Sequence, residues 1–213
     1  MVFNAGGRKD LTPGTRLTTG DFVFASVIET KRLSLRPFTE RDIGDFASAV
    51  FSNPNVTATL PSKPQTRAEQ IECAEKYIDF FTSPWLEQRF GGWAVCSRSK
   101  ELGVEGALLG FCGFLVGERA SPQAEIGFGY SDSCWRTGVG YEAASASVDW
   151  FFDIGEFEAF YACVHPGNTG SIRILEKLGM KYLGDEDLHD SVARGTGLIP
   201  VYMLDRDTYL SKK

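Results

Sequence analysis

Residues 135–152, WRTGVGYEAASASVDWFF, constrain this chain more than any other stretch. Gly138 and Gly140 stand between an alternating apolar segment, AEIGFGY over 124–130, and a long Ala/Ser-rich run that ends in aromatics. Alternation predicts a strand, the glycines a turn, and the run a helix. Such a junction presents the unpaired N–H groups of the first helical turn, where the helix dipole also favours an anion. Without a Cβ at Gly138 and Gly140, a phosphate can approach the main chain closely. The segment therefore predicts a pyrophosphate cradle, with a plain strand–turn–helix junction as the alternative. It is not a Walker A loop, because no Gly-Lys-Ser/Thr follows, and it lacks the third glycine of a dinucleotide fingerprint.

Downstream, residues 164–180 read VHPGNTGSIRILEKLGM. Ile172, Leu175 and Leu178 recur at helical spacing, Gly179 is placed to stop the helix, and Asn168 or Thr169 to cap its start. Together the two segments resemble the GNAT superfamily of acyl-CoA N-acyltransferases, and within it the branch typified by RimJ and RimL, the ribosomal-protein N-terminal acetyltransferases. That family's phosphate loop reads Gln/Arg/Trp-x-x-Gly-x-Gly/Ala, then x-Glu-Ala. Here it is Trp135-Arg136-Thr137-Gly138-Val139-Gly140-Tyr141-Glu142-Ala143. The family's later segment reads Asn-x-x-Ser-Ile-Arg-x-Leu-Glu-Lys-Leu-Gly-Phe, matched by Asn168-Thr-Gly-Ser171-Ile-Arg-Ile-Leu-Glu-Lys-Leu-Gly179-Met180. An opening Glu-Thr-x-Arg-Leu-x-Leu-Arg-Pro is also typical, and Glu29-Thr-Lys-Arg-Leu-Ser-Leu-Arg-Pro37 supplies it.

The resemblance implies an α/β GNAT fold, with a mixed central sheet of about six to seven strands flanked by about four helices. It implies acetyl-CoA as cosubstrate, no metal, and an amine-bearing acceptor, either a small molecule or a protein N-terminus. Cofactor contacts carry over to Trp135, Arg136, Thr137, Gly138, Val139, Gly140 and Tyr141, and to Asn168 and Ser171. They also carry over to Phe128, Gly129 and Tyr130, whose main chain would pair with pantetheine amides beside a strand-parting bulge that Gly127 and Gly129 suit. Tight packing is the other reading of those strand glycines, and helix capping the other reading of Asn168.

Acetyl transfer to an amine requires few protein groups: a base to neutralise the amine, a donor for the oxyanion and a proton for the departing thiolate. Orientation of two bound reactants can supply roughly 7–11 kcal/mol. No covalent nucleophile is then needed, and the chain's two histidines, His165 and His189, need not act. Family members with Ala-Glu-Ile-Gly-Tyr in the strand before the cradle often place that carboxylate near the acceptor, which makes Glu125 the candidate base; an outward-facing strand glutamate is the alternative. Many relatives carry an acidic-role tyrosine seven residues after the asparagine, where this chain has Leu175. In the RimL-like branch a serine three residues after the asparagine meets the CoA sulfur instead, and that role carries over to Ser171. The alternative is a first-turn serine satisfying the backbone.

A length of 213 residues predicts one domain. The formal net charge of −6 argues against a nucleic-acid-binding face. Five cysteines in irregular positions, with no C-x-x-C pair, suggest neither zinc nor disulfides, and Cys96, Cys112 and Cys163 lie in apolar runs as expected of buried thiols. A reducing, cytoplasmic location follows. No run approaches the roughly twenty apolar residues of a membrane span, and the N-terminus lacks a signal-peptide core. Either a monomer or a homodimer is compatible with this pattern.

Residues 1–28 are expected to be an N-terminal extension, with a strand-like pattern over 22–28, and residues 29–213 the acetyltransferase domain. A strand over 31–36, a helix from Thr39 to about Phe51, and a helix opened by the capping box Thr66-Arg-Ala-Glu69 and running to about Phe81 are expected next. Residues 52–64 read as a loop. Strands are expected at 92–97, 108–115, 124–130, 160–164 and 201–205. The loops 52–64 and 82–90 are expected to select the acceptor, with Trp85 and Phe90 lining its pocket if they are not core.

Overall fold

The computed structural model describes residues 27–120, 124–153, 157–188 and 197–213, with backbone alone at 86 and 87. Residues 1–26, nearly all of the expected extension, lie outside the described residues. The strands are β1 (Ile28–Glu29), β2 (Leu33–Arg36), β3 (Gly92–Ser97), β4 (Leu108–Val116), β5 (Ala124–Tyr130), β6 (Ala159–Cys163), β7 (Lys181–Glu186) and β8 (Ile199–Asp205). The helices are α1, a composite run over residues 40–51, then α2 (Pro54–Thr57), α3 (Arg67–Thr82), α4 (Pro84–Gln88), α5 (Val139–Asp153), α6 (Thr169–Leu178) and α7 (Arg206–Leu210).

All strands join one 8-stranded mixed sheet in the order β1-β2-β3-β4-β5-β6-β8-β7. The first five form an antiparallel meander. Strand β6 then lies parallel to β5, a connection that needs a crossover, and α5 supplies it. The β7–β8 hairpin completes the far edge.

Central strands β3 and β4 are buried along nearly their whole length, which is why they read as continuous apolar runs. On one face Leu33, Leu35, Phe114, Phe151, Phe152 and Phe160 form the core beneath α5 and α6. On the other, Phe46, Phe51, Phe81 and Phe111 pack under α1 and α3. Each buried aromatic or aliphatic side chain contributes about 1.5–3 kcal/mol, so two such clusters clamp the sheet from both sides.

The expected capping box at α3 is present: Thr66 Oγ1 accepts from the Glu69 N–H at 3.2 Å, and Glu69 Oε2 accepts from the Thr66 N–H at 3.1 Å. A second device fixes α1. The Arg36 guanidinium makes two bonds of 2.8 and 2.6 Å to the Asp42 carboxylate, which also accepts from the Thr39 N–H at 2.7 Å. Burial works to raise the Asp42 carboxyl, but these hydrogen bonds outweigh it and hold the group below its ordinary range.

Several expectations are corrected. Among the described residues the sheet has eight strands, not six or seven, and the short helices α2, α4 and α7 add to the expected four. Residues 52–64 are not all loop: Asn53 caps α2 through the Asn55 N–H at 2.9 Å, with Pro54 at the first helical position, where its missing N–H costs nothing. Trp85 and Phe90 line no acceptor pocket. They are 1% and 3% exposed, and the Trp85 ring packs edge-on against Trp93 at 4.9 Å and Trp150 at 5.2 Å. The hairpin strand β7 was not foreseen, because it is largely exposed and lacks alternation.

Candidate active site

Strand β5 leads through a short turn at Asp132–Cys134 into the glycine loop and α5. Two loop residues have left-handed backbone, Arg136 at φ 64° and Gly138 at φ 85°. Left-handed residues alternating with ordinary ones point successive N–H groups to the same side, the concave arrangement that binds anions. Among the described residues, the N–H groups of Arg136, Gly138, Val139, Gly140 and Tyr141 have no acceptor. Trp135 and Thr137 differ, since their N–H groups bond Asp132 O and Cys134 O within the turn, at 3.0 and 3.4 Å. The Trp135 indole instead donates to Tyr130 O at 3.1 Å, fastening the turn to the strand end.

The two glycines serve different ends. Gly138 meets the left-handed requirement directly, a backbone region that most side chains disfavour. Gly140 is needed for packing rather than for phosphate clearance: a Cβ there would lie 2.8 Å from Ile174 Cδ1 of α6 and 3.2 Å from the Tyr130 ring.

The first turn of α5 is held from a distant part of the chain. Arg32, in the β1–β2 turn, pairs with Glu142 through Nε at 2.7 Å, and its Nη1 donates to Thr137 O at 3.0 Å. Glu142 also accepts from Thr30 Oγ1 at 2.6 Å and from the Arg32 N–H at 3.0 Å. Burial works to raise the Glu142 carboxyl, but these donors prevail and hold it below its ordinary 4.5. Stability from Glu142 is therefore complete above about pH 4.5 and drains away as pH falls through its lower folded value. Arg32→Met is expected to lower the melting temperature at pH 7 by about 2–4 °C, as for about 1 kcal/mol in a chain of this size. That deficit should shrink in melts below about pH 4.5. A deficit equal at pH 7 and pH 3 would deny the pair its anchoring role.

Strands β5 and β6 share a single register point, Glu125↔Tyr161. The Ser131 N–H bonds Leu109 O on β4, so by alternation Gly129 and Gly127 also direct their main-chain groups to β4. Ala124, Ile126, Phe128 and Tyr130 face β6, and past the register point the main chain of Phe128 and the Tyr130 N–H have no ladder partner. Among the described residues a slot of unpaired backbone thus runs from the glycine loop down β5. Of the three strand residues expected to meet pantetheine, Phe128 and Tyr130 face this slot and Gly129 does not.

The expected bulge is absent too, since β4 and β5 keep one register from Gly110↔Tyr130 to Val116↔Ala124. Gly127 and Gly129 answer to packing: a Cβ on Gly129 would sit 2.6 Å from Phe111 Cε1, and one on Gly127 3.1 Å from Leu115 Cδ2.

At the other wall, Asn168 caps α6 through the Ser171 N–H at 3.0 Å, and its Nδ2 donates to Thr59 Oγ1 at 3.2 Å. A second tie runs from Asn53 Nδ2 to Asp132 Oδ2 at 2.6 Å. The α2 segment is thereby fixed to both sides of the slot. The half-buried Ser171 hydroxyl has no hydrogen-bond partner among the described residues, so it is not the cap. Leu175 is core, at 1% exposure.

Glu125 lies at the opposite end of β5 from the loop, half-buried beside Tyr161. From Tyr130 back to Glu125 the strand covers about 17 Å at ~3.3 Å per residue. His165 accepts from the Gly167 N–H at 3.0 Å and is a turn residue. Burial pushes the Cys112 thiol up to about 11, while Cys163, expected to be buried, is half-exposed. Among the described residues no cluster of His, Cys, Asp and Glu could hold a metal, and no helix is long and apolar enough to cross a membrane. Sequence reasoning did not single out Arg32, Thr59 or Tyr161; Arg32 stood in view inside the opening motif, the other two carried no signal.

A parallel strand pair that parts beyond one register point, with a turn of unpaired N–H groups at its open end, presents main-chain donors suited to an elongated anionic ligand. The chain belongs to the acetyltransferase (GNAT) domain family, whose model matches residues 32–181. It is 31% identical over 158 residues to the uncharacterized protein YkkB of Bacillus subtilis (strain 168), covering 72% of this chain and 84% of that protein. Its fold is similar to an acetyltransferase from Agrobacterium tumefaciens C58, with TM-score 0.67 and 19% identity, over 94% of this chain and all of that one, 100%. It is also similar to Mycobacterium smegmatis RimJ in complex with CoA-disulfide, with TM-score 0.65 and 13% identity, over 86% of this chain and 87% of the other. Members of the family use acetyl-CoA and act on amines.

Proposed function

We propose that this protein transfers an acetyl group from acetyl-CoA to a primary amine by direct attack within a ternary complex, as a RimJ/RimL-like member of its family. The observation that carries this reading is the turn of five unpaired N–H groups, from Arg136 and from Gly138 to Tyr141, at the open end of the β5–β6 slot. Unpaired backbone donors are costly unless a partner or water meets them, and a pyrophosphate supplies the matching charge. The main chain of Phe128 and Tyr130 would hold the pantetheine amides. Acetyl-CoA supplies the activated acyl thioester. Glu125 takes the proton from the attacking amine, and Ser171 Oγ, with no partner among the described residues, donates a hydrogen bond to the departing sulfur.

The acceptor is a protein N-terminus or a small amine, and residues 1–28 an extension to the domain. The free cysteines support a reducing, cytoplasmic location. Acetyl-CoA consumption across a panel of amino acids, polyamines, aminoglycosides and N-terminal peptides tests the activity. The core position of Leu175, where many relatives have a tyrosine acid, favours a second reading, a catalytically silent acyl-CoA-binding domain. Tight CoA binding with no turnover across the panel would select it.

Ser171→Ala separates catalysis from structure. It should lower kcat and kcat/KM together by about one to two orders of magnitude, as for loss of one charge-assisted hydrogen bond. Its melting temperature should match wild type, because Asn168 does the capping. Asn168→Ala, by contrast, should cost about 1 kcal/mol of stability. A Ser171→Ala enzyme with undiminished kcat would remove the sulfur contact from the mechanism.

A further inference from the structure

Tyr161 is fully buried in β6, directly across the register point from Glu125. The Arg119 N–H, from the β4–β5 connection, donates to its hydroxyl at 3.3 Å. The Arg119 guanidinium lies 5.6 Å from the ring centre and pairs with Glu186 of β7. Gly117 stands against it so closely that a Cβ would overlap the hydroxyl and lie 2.8 Å from Glu125 Oε2. The hydroxyl oxygen thus accepts from Arg119, which leaves its proton for the Glu125 carboxylate. Burial first, then the Glu125 charge, push the phenol well above its ordinary range, so it stays protonated as a donor. The other titratable neighbour is Cys163, farther along β6.

We infer that Tyr161 is a positioning residue for the reaction: by donating to Glu125 it keeps that carboxylate ionised and aimed into the slot, and Gly117 is glycine so that the contact can form. A carboxylate on an edge of parted strands has several rotamers. A fixed donor narrows the choice among them, and a donor already polarised by Arg119 is the stronger for it. Being buried, Tyr161 has no access to substrate and acts only through Glu125. The inference rests on the proposed role of Glu125 as base.

The test uses the full chain saturated with CoA and labelled with 13C at glutamate side-chain carboxyls, the Glu125 resonance being assigned by its loss in Glu125→Gln. Tyr161→Phe should move the Glu125 titration to higher pH by about one unit, because a hydrogen bond to the charged form is lost. Gly117→Ala should move it in the same direction with Tyr161 and Glu125 both intact, and serves alone should Tyr161→Phe fail to fold. With the best acceptor of the amine panel, kcat/KM of Tyr161→Phe at pH 7 should fall about tenfold. Its acid limb should rise with the titration while KM for acetyl-CoA stays unchanged. Tyr161→Phe should add nothing in a Glu125→Gln background.

A Glu125 titration and acid limb unmoved by Tyr161→Phe, in an enzyme that Glu125→Gln cripples, would overturn the positioning role and leave Glu125 as base. Wild-type turnover in Glu125→Gln would instead overturn the base itself, and the inference with it.

Discussion

In the Glu125→Gln enzyme, kcat falls by about 10²–10⁴ near neutral pH while CoA affinity holds. Glutamine keeps the shape of the side chain, so the slot and the register point with Tyr161 survive. What it lacks is the capacity to accept a proton from the attacking amine. The deficit should narrow as pH rises, because the free-amine fraction of the acceptor grows and less deprotonation is left for the protein. Steady-state kinetics from pH 6 to 10, with CoA binding followed by calorimetry, check both halves. A variant as fast as wild type at pH 7 would make Glu125 a structural residue and return proton removal to solvent.

Gly138→Asp is expected to reduce CoA affinity at least a hundredfold. The new carboxylate would stand in the turn whose free N–H groups favour an anion, and two like charges about 4 Å apart repel by about 1–4 kcal/mol over the range from water to protein surface. The left-handed backbone at φ 85° adds strain for any side chain. Gly138→Asn separates the causes, since asparagine tolerates that conformation about as well as aspartate and carries no charge. A Cβ here would meet Arg32 Nη2 at 3.4 Å, an ordinary contact with a movable side-chain end, so the fold should persist in both variants. Asparagine should lose part of the affinity and aspartate nearly all of it. Calorimetric binding of CoA to a folded Gly138→Asp protein at wild-type strength would remove the pyrophosphate from this turn.

Strands 92–97 and 124–130 and the helix opened by Thr66 were legible because periodicity and capping are local, and those elements are buried as their patterns demand. The glycine turn before α5 was legible for a similar reason. Left-handed backbone leaves its trace as glycine, although the same trace at Gly140 answered to a neighbouring helix rather than to a ligand. Asn53-Pro54 was read as a loop breaker when it is a helix start, an ambiguity inherent in proline. For Trp85 the sequence leaves core and acceptor pocket both open, and the tertiary packing of Trp93 and Trp150 decides for the core. The strand parting was misattributed to a bulge at Gly127 and Gly129, because pairing between β5 and β6 is settled by residues far apart in the chain. Tyr161 was invisible for the same reason: nothing local distinguishes it from a core tyrosine.

The tie between Arg32 and Glu142 spans 110 residues of sequence. Contacts of such separation form only after the intervening chain has been ordered, since loop closure must precede their reward. During folding, then, this brace on the glycine turn forms only once the β1–β2 hairpin has docked beside α5. A nascent or half-folded chain would carry every residue of the glycine loop and still lack the brace that holds it. A ligand that bound only the braced turn would add to native-state stability by mass action, in step with its concentration over its Kd.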